Sequence, residues 1–274
     1  MLNRHMTEVN PFVDRVLDVV AFLTEDGRSR PLGEISARLG LSKAATHRML
    51  RALSARGWVE QEAGTGFYRL TLRLPILAHR YLRSTRFLDV TQPVIDRLAQ
   101  ATREHARLTA VVGHGLTWLS MAQGATSGLV SQGGSGKLPL HASANGKVWL
   151  ATLSNEEAIK LVLEKGFGEP GEFGPNAVRS VEELLKRLDE TRRLGFGINI
   201  DESEIGVITV AAAIRSAPKS PVVGTVSVSG PSVRFTRERA EQVARDLVLP
   251  AAAELGELWP LHAPGENLAR ASAV

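Results

Sequence analysis

The stretch Ser42–Ala55, Ser-Lys-Ala-Ala-Thr-His-Arg-Met-Leu-Arg-Ala-Leu-Ser-Ala, constrains this chain more than any other. At the angular step of an α-helix, Ala45, Met49, Ala52 and Leu53 fall on one side. Lys43, His47 and Arg51 fall on the opposite side, flanked by Ala44 and Arg48. One face is built to pack and the other carries donors. Ser42 suits the N-cap, where its hydroxyl accepts from the unpaired amides of the first turn. Just upstream, Pro31–Leu39 reads as a short helix with Leu32, Ile35 and Leu39 turned inward. Pro31 suits the first turn, where its missing N–H is no loss. Gly40 suits the left-handed residue that ends a helix. Helix, tight glycine turn, helix is the helix-turn-helix pattern, although a purely structural helix pair has the same spacing.

Charge placement favours the first of these readings. The chain carries a net charge of +4, but residues 1–85 hold 13 Lys and Arg against 8 Asp and Glu, while the remainder holds 20 against 21. The positive excess sits with the candidate recognition helix, as neutralising a phosphate backbone requires. The 274 residues and 43% apolar content leave room for about two cored domains. No apolar run approaches the roughly 18 residues of a membrane span, so no membrane partner is expected. Met1–Asn10 lacks the apolar centre of a secretory signal and reads as a loose leader. The absence of cysteine excludes disulfides, thiolate metal sites, cysteine nucleophiles and thiol redox sensing. A cytoplasmic location is the expectation.

In chain order, Pro11–Leu23 predicts a first helix with Phe12, Val13, Val16, Leu17, Val20 and Leu23 in a wide apolar stripe. After Gly57, Trp58–Gln61 and Phe67–Leu70 predict two short strands around the turn 62–66. A hairpin directly behind a recognition helix is the wing of a winged helix-turn-helix, and Arg69 on it is placed to reach a phosphate. Leu72–Arg83 predicts a linker helix, with Leu74, Leu77, Ala78 and Leu82 on a side suited to a second subunit. From Phe87 the pattern is mixed. Helices are expected at Phe87–His105, Ala142–Thr152, Asn155–Glu164, Ser180–Leu194 and Thr236–Leu258. Strands are expected at Leu108–Val112, Leu116–Ala122, Phe196–Ile200, Val207–Ile214 and Val222–Ser229. Gly124–Gly136 reads as a Gly/Ser-rich loop and Pro264–Val274 as a loose tail. The class is α+β, with a largely antiparallel sheet flanked by helices.

Several catalytic patterns fail on their spacing. Gly133-Gly-Ser-Gly-Lys137 lacks the glycine at 131 and the hydroxyl at 138 that a Walker loop needs. Gly-x-Ser-x-Gly fails at Ser127, Ser135 and Ser229. His141 and Ser143 lie two apart at a loop-to-helix junction, which suits capping and core contacts better than a base and nucleophile. The seven histidines show no metal-ligand spacing. No catalytic residue, cofactor or metal is expected. An enzyme fused to a nucleic-acid-binding module and a constitutive DNA-binding protein with an empty sensor are the alternatives.

Taken together, the segments Leu39–Leu50, Leu53–Glu60, Leu138–Ala151, Arg192–Gly197, Glu204–Gly206 and Val226–Ser232, in this order, resemble the IclR family of bacterial transcriptional regulators over about residues 10–258. The resemblance implies a winged helix-turn-helix DNA-binding domain at 1–70, a linker helix at 71–86, a GAF-like α/β effector-binding domain at 87–262 and a tail at 263–274. It implies a regulator, expected to be a repressor of a neighbouring catabolic operon, that acts as a homodimer or dimer of dimers. Its operator DNA would be contacted by Ser42, Lys43, Ala44, His47, Arg48, Arg51 and Arg69. A small effector, a carboxylate or aromatic acid, would be held by backbone amides at Ala144 and Asn145 and by Asn199, Thr209, Ser227 and Ser229. Ser227 and Ser229 alternate along a strand and so share a face. The chain departs from the family where Asn199 replaces a frequent acid, Thr209 a frequent cysteine, and Ala44-Ala45 a hydroxyl-bearing pair. These changes imply a different effector and a different operator.

Overall fold

The computed structural model describes residues 11–85, 87–124, 138–169 and 171–262. The leader 1–10, the Gly/Ser-rich segment beyond Gly124 and the tail expected at 263–274 lie outside the described residues. The chain forms two compact units, residues 1–82 and 83–274.

In the first unit, α1 (Pro11–Thr24), α2 (Leu32–Leu39) and α3 (Lys43–Ala55) precede a hairpin of β1 (Val59–Gln61) and β2 (Tyr68–Leu70), and α4 (Arg73–Thr85) follows. Gly40 ends α2 in the left-handed region at φ 62°, and Ser42 caps α3 by accepting from the Ala45 amide at 3.2 Å. Pro31 stands one position earlier than expected, at the N-cap of α2 in extended conformation. Arg30 and Tyr68 exchange backbone hydrogen bonds, so the segment before α2 joins the wing through one isolated antiparallel bridge.

The unit's core gathers Val19, Phe22 and Leu23 of α1, Ile35 of α2, Met49, Leu50 and Leu53 of α3, and Val59 and Tyr68 of the hairpin. Two expectations need correcting here. The buried stripe of α3 is Thr46, Met49, Leu50 and Leu53, with Ala52 exposed. Alanine is nearly indifferent to which face it occupies, so Leu50 decides the phase. In α1 only part of the expected stripe is buried: Phe12, Val13 and Leu17 are each about half exposed.

The second unit is a five-stranded antiparallel sheet of order β4-β3-β7-β6-β5, with β3 His105–Val112, β4 Gly115–Gln123, β5 Gly197–Ile200, β6 Val207–Arg215 and β7 Val222–Pro231. One face is apolar. Ala106, Leu108, Val226, Val228, Val210 and Ala212 pack there with α5 (Phe87–Thr102), α9 (Arg237–Val243) and α10 (Leu249–His262). The other face is covered by α6 (Ala144–Leu150), while α7 (Asn155–Leu163) and α8 (Val181–Leu194) contribute to a second core. The close seat of α6 needs two glycines. A Cβ on Gly146 would meet the Leu140 carbonyl oxygen at 2.2 Å, and one on Gly197 would meet that of Ala144 at 2.4 Å.

Three elements differ from the sequence reading. β3 begins at His105, which was expected in the preceding helix. α6 is shorter, starting at Ala144. The closing helix is interrupted by a π-helical turn at Ala244–Val248.

Candidate DNA-contacting helix and effector cavity

On α3, Lys43, Ala44, His47, Arg48 and Arg51 are all exposed, and the helix contains no acidic residue. Some other cations of this unit are neutralised locally. Arg30 pairs with Asp26 at 2.7 Å and with Glu34, and Arg38 with Glu25 at 3.3 Å. Among the described residues no ion pair reaches Lys43, Arg48 or Arg51. Arg69 behaves differently from its sister candidates. Its guanidinium donates to Glu60 at 2.6 Å and lies 3.6 Å from Glu62. A phosphate would have to compete with two carboxylates for it. Ser42 spends its hydroxyl as a cap, which leaves it a positioning role at the start of the helix.

In the second unit a cavity of about 650 Å³ opens between α6 and the polar face of the sheet. That volume suits a small-molecule ligand. Ala144, Asn145, Asn199, Thr209, Ser227 and Ser229 all line it. Strand register explains why residues so far apart in sequence meet. His105 pairs with Ser229, Ser229 with Thr209 and Thr209 with Asn199 in one row across four strands. The next row on the same face runs Arg107, Ser227, Ala211, Gly197.

The hydrogen bonds sort these residues. Thr209 and Ser229 share a hydroxyl contact at 2.9 Å, and the Asn145 side-chain amide donates to Ser227 at 3.2 Å. Asn199 ties the walls together. Its amide donates to the Ala142 carbonyl at 2.7 Å and to Ser203 at 3.0 Å, and its oxygen accepts from the Glu202 amide at 3.1 Å. Both of its donors are therefore spent on the protein. Ser143 caps α6, accepting from the Gly146 amide at 3.0 Å and donating to the Pro139 carbonyl at 2.7 Å. His141 sits edge-on to Phe167 and Phe173 with ring centroids 5.3 and 5.1 Å away, the packing role expected of it. Burial pushes its pKa below the ordinary value.

Two contributors escaped the sequence reading. Arg107 lines the cavity while only 9% exposed, with its guanidinium 4.8 Å from the Trp118 ring centroid. His105 accepts from Arg107 Nε at 3.1 Å, and burial with the neighbouring guanidinium lowers its pKa to about 4, so it is neutral near pH 7. Alternation from Thr109 back through 107 and 105 would have found both, had β3 been started three residues earlier. Behind α6, Lys147 forms a buried ion pair with Glu202 of the loop after β5. Burial lowers the lysine and raises the glutamate, while their mutual attraction opposes both shifts.

A winged helix whose third helix exposes cations that join no ion pair among the described residues, in one chain with an α/β unit holding a small-molecule cavity, defines a ligand-responsive DNA-binding regulator. The comparisons with known proteins agree. Residues 12–63 match the IclR helix-turn-helix domain, and residues 79–257 match the family model described as bacterial transcriptional regulator IclR C-terminal. The chain belongs to the IclR family of bacterial transcriptional regulators. It is 28% identical over 247 residues to the HTH-type transcriptional repressor AllR of Escherichia coli K12, covering 89% of this chain and 90% of that protein. An IclR homolog from Microbacterium hydrocarbonoxydans, solved in complex with 4-hydroxybenzoate, is 26% identical with a TM-score of 0.71, covering 89% and 98% of the two chains. The IclR regulator of Alicyclobacillus acidocaldarius shares the fold with a TM-score of 0.79 at 22% identity, covering 91% and 99%. AllR is a transcriptional repressor and both matched domains are regulator domains, so this chain is a transcriptional regulator and not an enzyme. Among the described residues no helix is long and apolar enough to cross a membrane.

Proposed function

We propose that this protein is a repressor of a neighbouring catabolic operon, released or retained on its operator by a small organic acid bound in the cavity beneath α6. The observation that carries the DNA half is the contrast between α3, whose cations have no local acid, and the paired cations of Arg30, Arg38 and Arg69. Lys43, Arg48 and Arg51 are the base-reading and phosphate-contacting candidates, with His47 beside them and the Ala44 methyl available to thymine. Two copies in a homodimer, or four in a dimer of dimers, would bring this helix into successive major grooves of a pseudopalindromic site. The division of labour follows the chain: residues 1–70 contact DNA, 71–86 link, and 87–262 sense.

The sensing half is supported by a polar sheet face that is covered instead of solvated, and by the convergence of Asn145, Thr209, Ser227 and Ser229 on one cavity. That a relative holds 4-hydroxybenzoate supports an acid of comparable size. Regulation requires the effector to bind one arrangement of the DNA-binding units more tightly than the other.

A thermal-shift panel of carboxylates and aromatic acids, followed by operator footprinting with each hit, tests this reading. Replacing Ser227 and Ser229 with Ala should remove the effector response and leave DNA affinity intact. Loss of both properties together would show that these serines serve the fold alone.

A further inference from the structure

We propose that Arg107 is the residue that selects acids over neutral molecules in this cavity, gripping the effector's carboxylate with a guanidinium set in place by His105 and Trp118. The inference rests on the sensor reading above and names the group that recognises its ligand.

Among the described residues that line the cavity, Lys165, Glu172 and Glu204 are exposed, and Arg107 is the one charged side chain that is buried. Taking a guanidinium out of water is unfavourable by several kcal/mol unless charge and hydrogen bonds answer it. Apolar side chains fill equivalent positions on the opposite face of β3, at Ala106 and Leu108. Arg107 is thus a cation withdrawn from water in the cavity wall, where a ligand's anionic group can reach it.

Its setting is that of a positioned anion binder. The Trp118 ring supports the guanidinium at 4.8 Å, and arginine tolerates such stacking because its planar group is weakly hydrated. His105 accepts the Nε hydrogen at 3.1 Å, which fixes the rotation of the guanidinium plane. Neutral His105 can do this; a charged imidazolium could not accept. Ser227 is the register partner of Arg107, and Ser229 that of His105, so the hydroxyls of the adjacent strand share the face from which the guanidinium projects. An acid carrying a hydroxyl or carbonyl near its carboxylate meets complementary groups on this surface. Exposed Glu204 contributes an attractive field to Arg107, and an arriving carboxylate adds to that attraction from within the cavity.

The test uses the purified full-length protein and matched acid–amide pairs: 4-hydroxybenzoate with 4-hydroxybenzamide, salicylate with salicylamide, and succinate with succinamide. Calorimetric titration should show at least one acid bound more than tenfold more tightly than its amide by the unmodified protein. In Arg107→Met that acid should weaken roughly 10- to 100-fold, as expected for loss of hydrogen bonds to a charged group, with the amide little changed. Arg107→Lys should retain part of the preference, because it keeps charge but not the planar fork. In His105→Phe the acid-to-amide ratio should fall while Arg107 remains, a change that mere loss of stability would not produce. Equal binding of acid and amide by the unmodified protein, or an unchanged ratio in Arg107→Met, would overturn the assignment and leave the sensor reading standing. If no acid or amide of the panel binds, both the assignment and the acid-sensing reading fail.

Discussion

The exposed face of α3 and the covered face of the effector sheet are both polar, yet they are polar in opposite ways. On α3 the cations stand in water with no ion pair among the described residues, which is inexpensive, and the helix is held by its other side through Met49, Leu50 and Leu53. On the sheet, His105, Arg107, Thr109, Thr209, Thr225, Ser227 and Ser229 lie largely withdrawn from water, and most of their polar atoms are matched to one another. A solvated polar face can meet any polyanion and must gain its specificity from shape and spacing. A covered polar face admits only a molecule that completes its hydrogen bonds. The first suits a long charged duplex and the second a small metabolite.

The largest effect should come from the covered region. Replacing Lys147 by Ala strands Glu202 in the interior, and unfolding of the second unit should be easier by about 3–5 kcal/mol, read by denaturant titration. Lys147→Met combined with Glu202→Leu should recover most of that loss, since a buried pair is often replaceable by apolar groups of similar volume. If the single substitution is silent, the buried pair does not tie α6 to the loop after β5.

On α3 the expectation is reversed, with stability preserved and affinity lost. Arg48→Ala or Arg51→Ala should weaken operator binding by about 1–3 kcal/mol for each base contact removed, with an unchanged melting temperature. Mobility-shift titration at fixed salt reads this directly, and full retention of affinity in both variants would remove them from the interface.

Acid should next distinguish the regions. The folded state holds His105 neutral down to about pH 4, whereas the unfolded chain protonates it below about 6.5. The unfolded state thus binds more protons in that window, so this contribution to stability is present at pH 7 and is lost as pH falls towards 4. Between pH 7 and 5.5 it amounts to roughly 1 kcal/mol, and His105→Phe should flatten that part of the pH–stability curve.

The smallest effect is expected at Arg69. Its exposed pairs with Glu60 and Glu62 contribute between nothing and about 1 kcal/mol, so Arg69→Ala should change stability little. A loss of DNA affinity as large as that of Arg48→Ala would mean that the wing arginine leaves its carboxylates for phosphate.

The same contrast explains what could be read from the sequence. The helix pair, its glycine turn and its serine cap were legible because Gly40 and Ser42 act locally and the helical period is strong. The phase of α3 is not legible in the same way, because Ala45 and Ala52 fit either face and only Leu50 marks the buried one. On the sheet, Ser227, Ser229, Thr209 and Asn199 came from family resemblance; their convergence depends on register between strands, which no local pattern encodes. Arg107 and His105 were missed for a physical reason. Charged or titratable residues in a strand signal solvent, and only the covering helix α6 makes their position buried. The π turn at Ala244–Val248 leaves the apolar composition of its helix unchanged, so periodicity passed over it.

The central claim is that the unpaired cations of α3 read a particular duplex. Fluorescence anisotropy at a fixed physiological salt concentration, comparing DNA from the protein's own upstream region with a scrambled duplex of equal length, tests it most directly. The upstream DNA should be bound on the order of a thousandfold or more tighter than the scrambled sequence. Equal affinity for both duplexes, vanishing together as salt is raised, would contradict it.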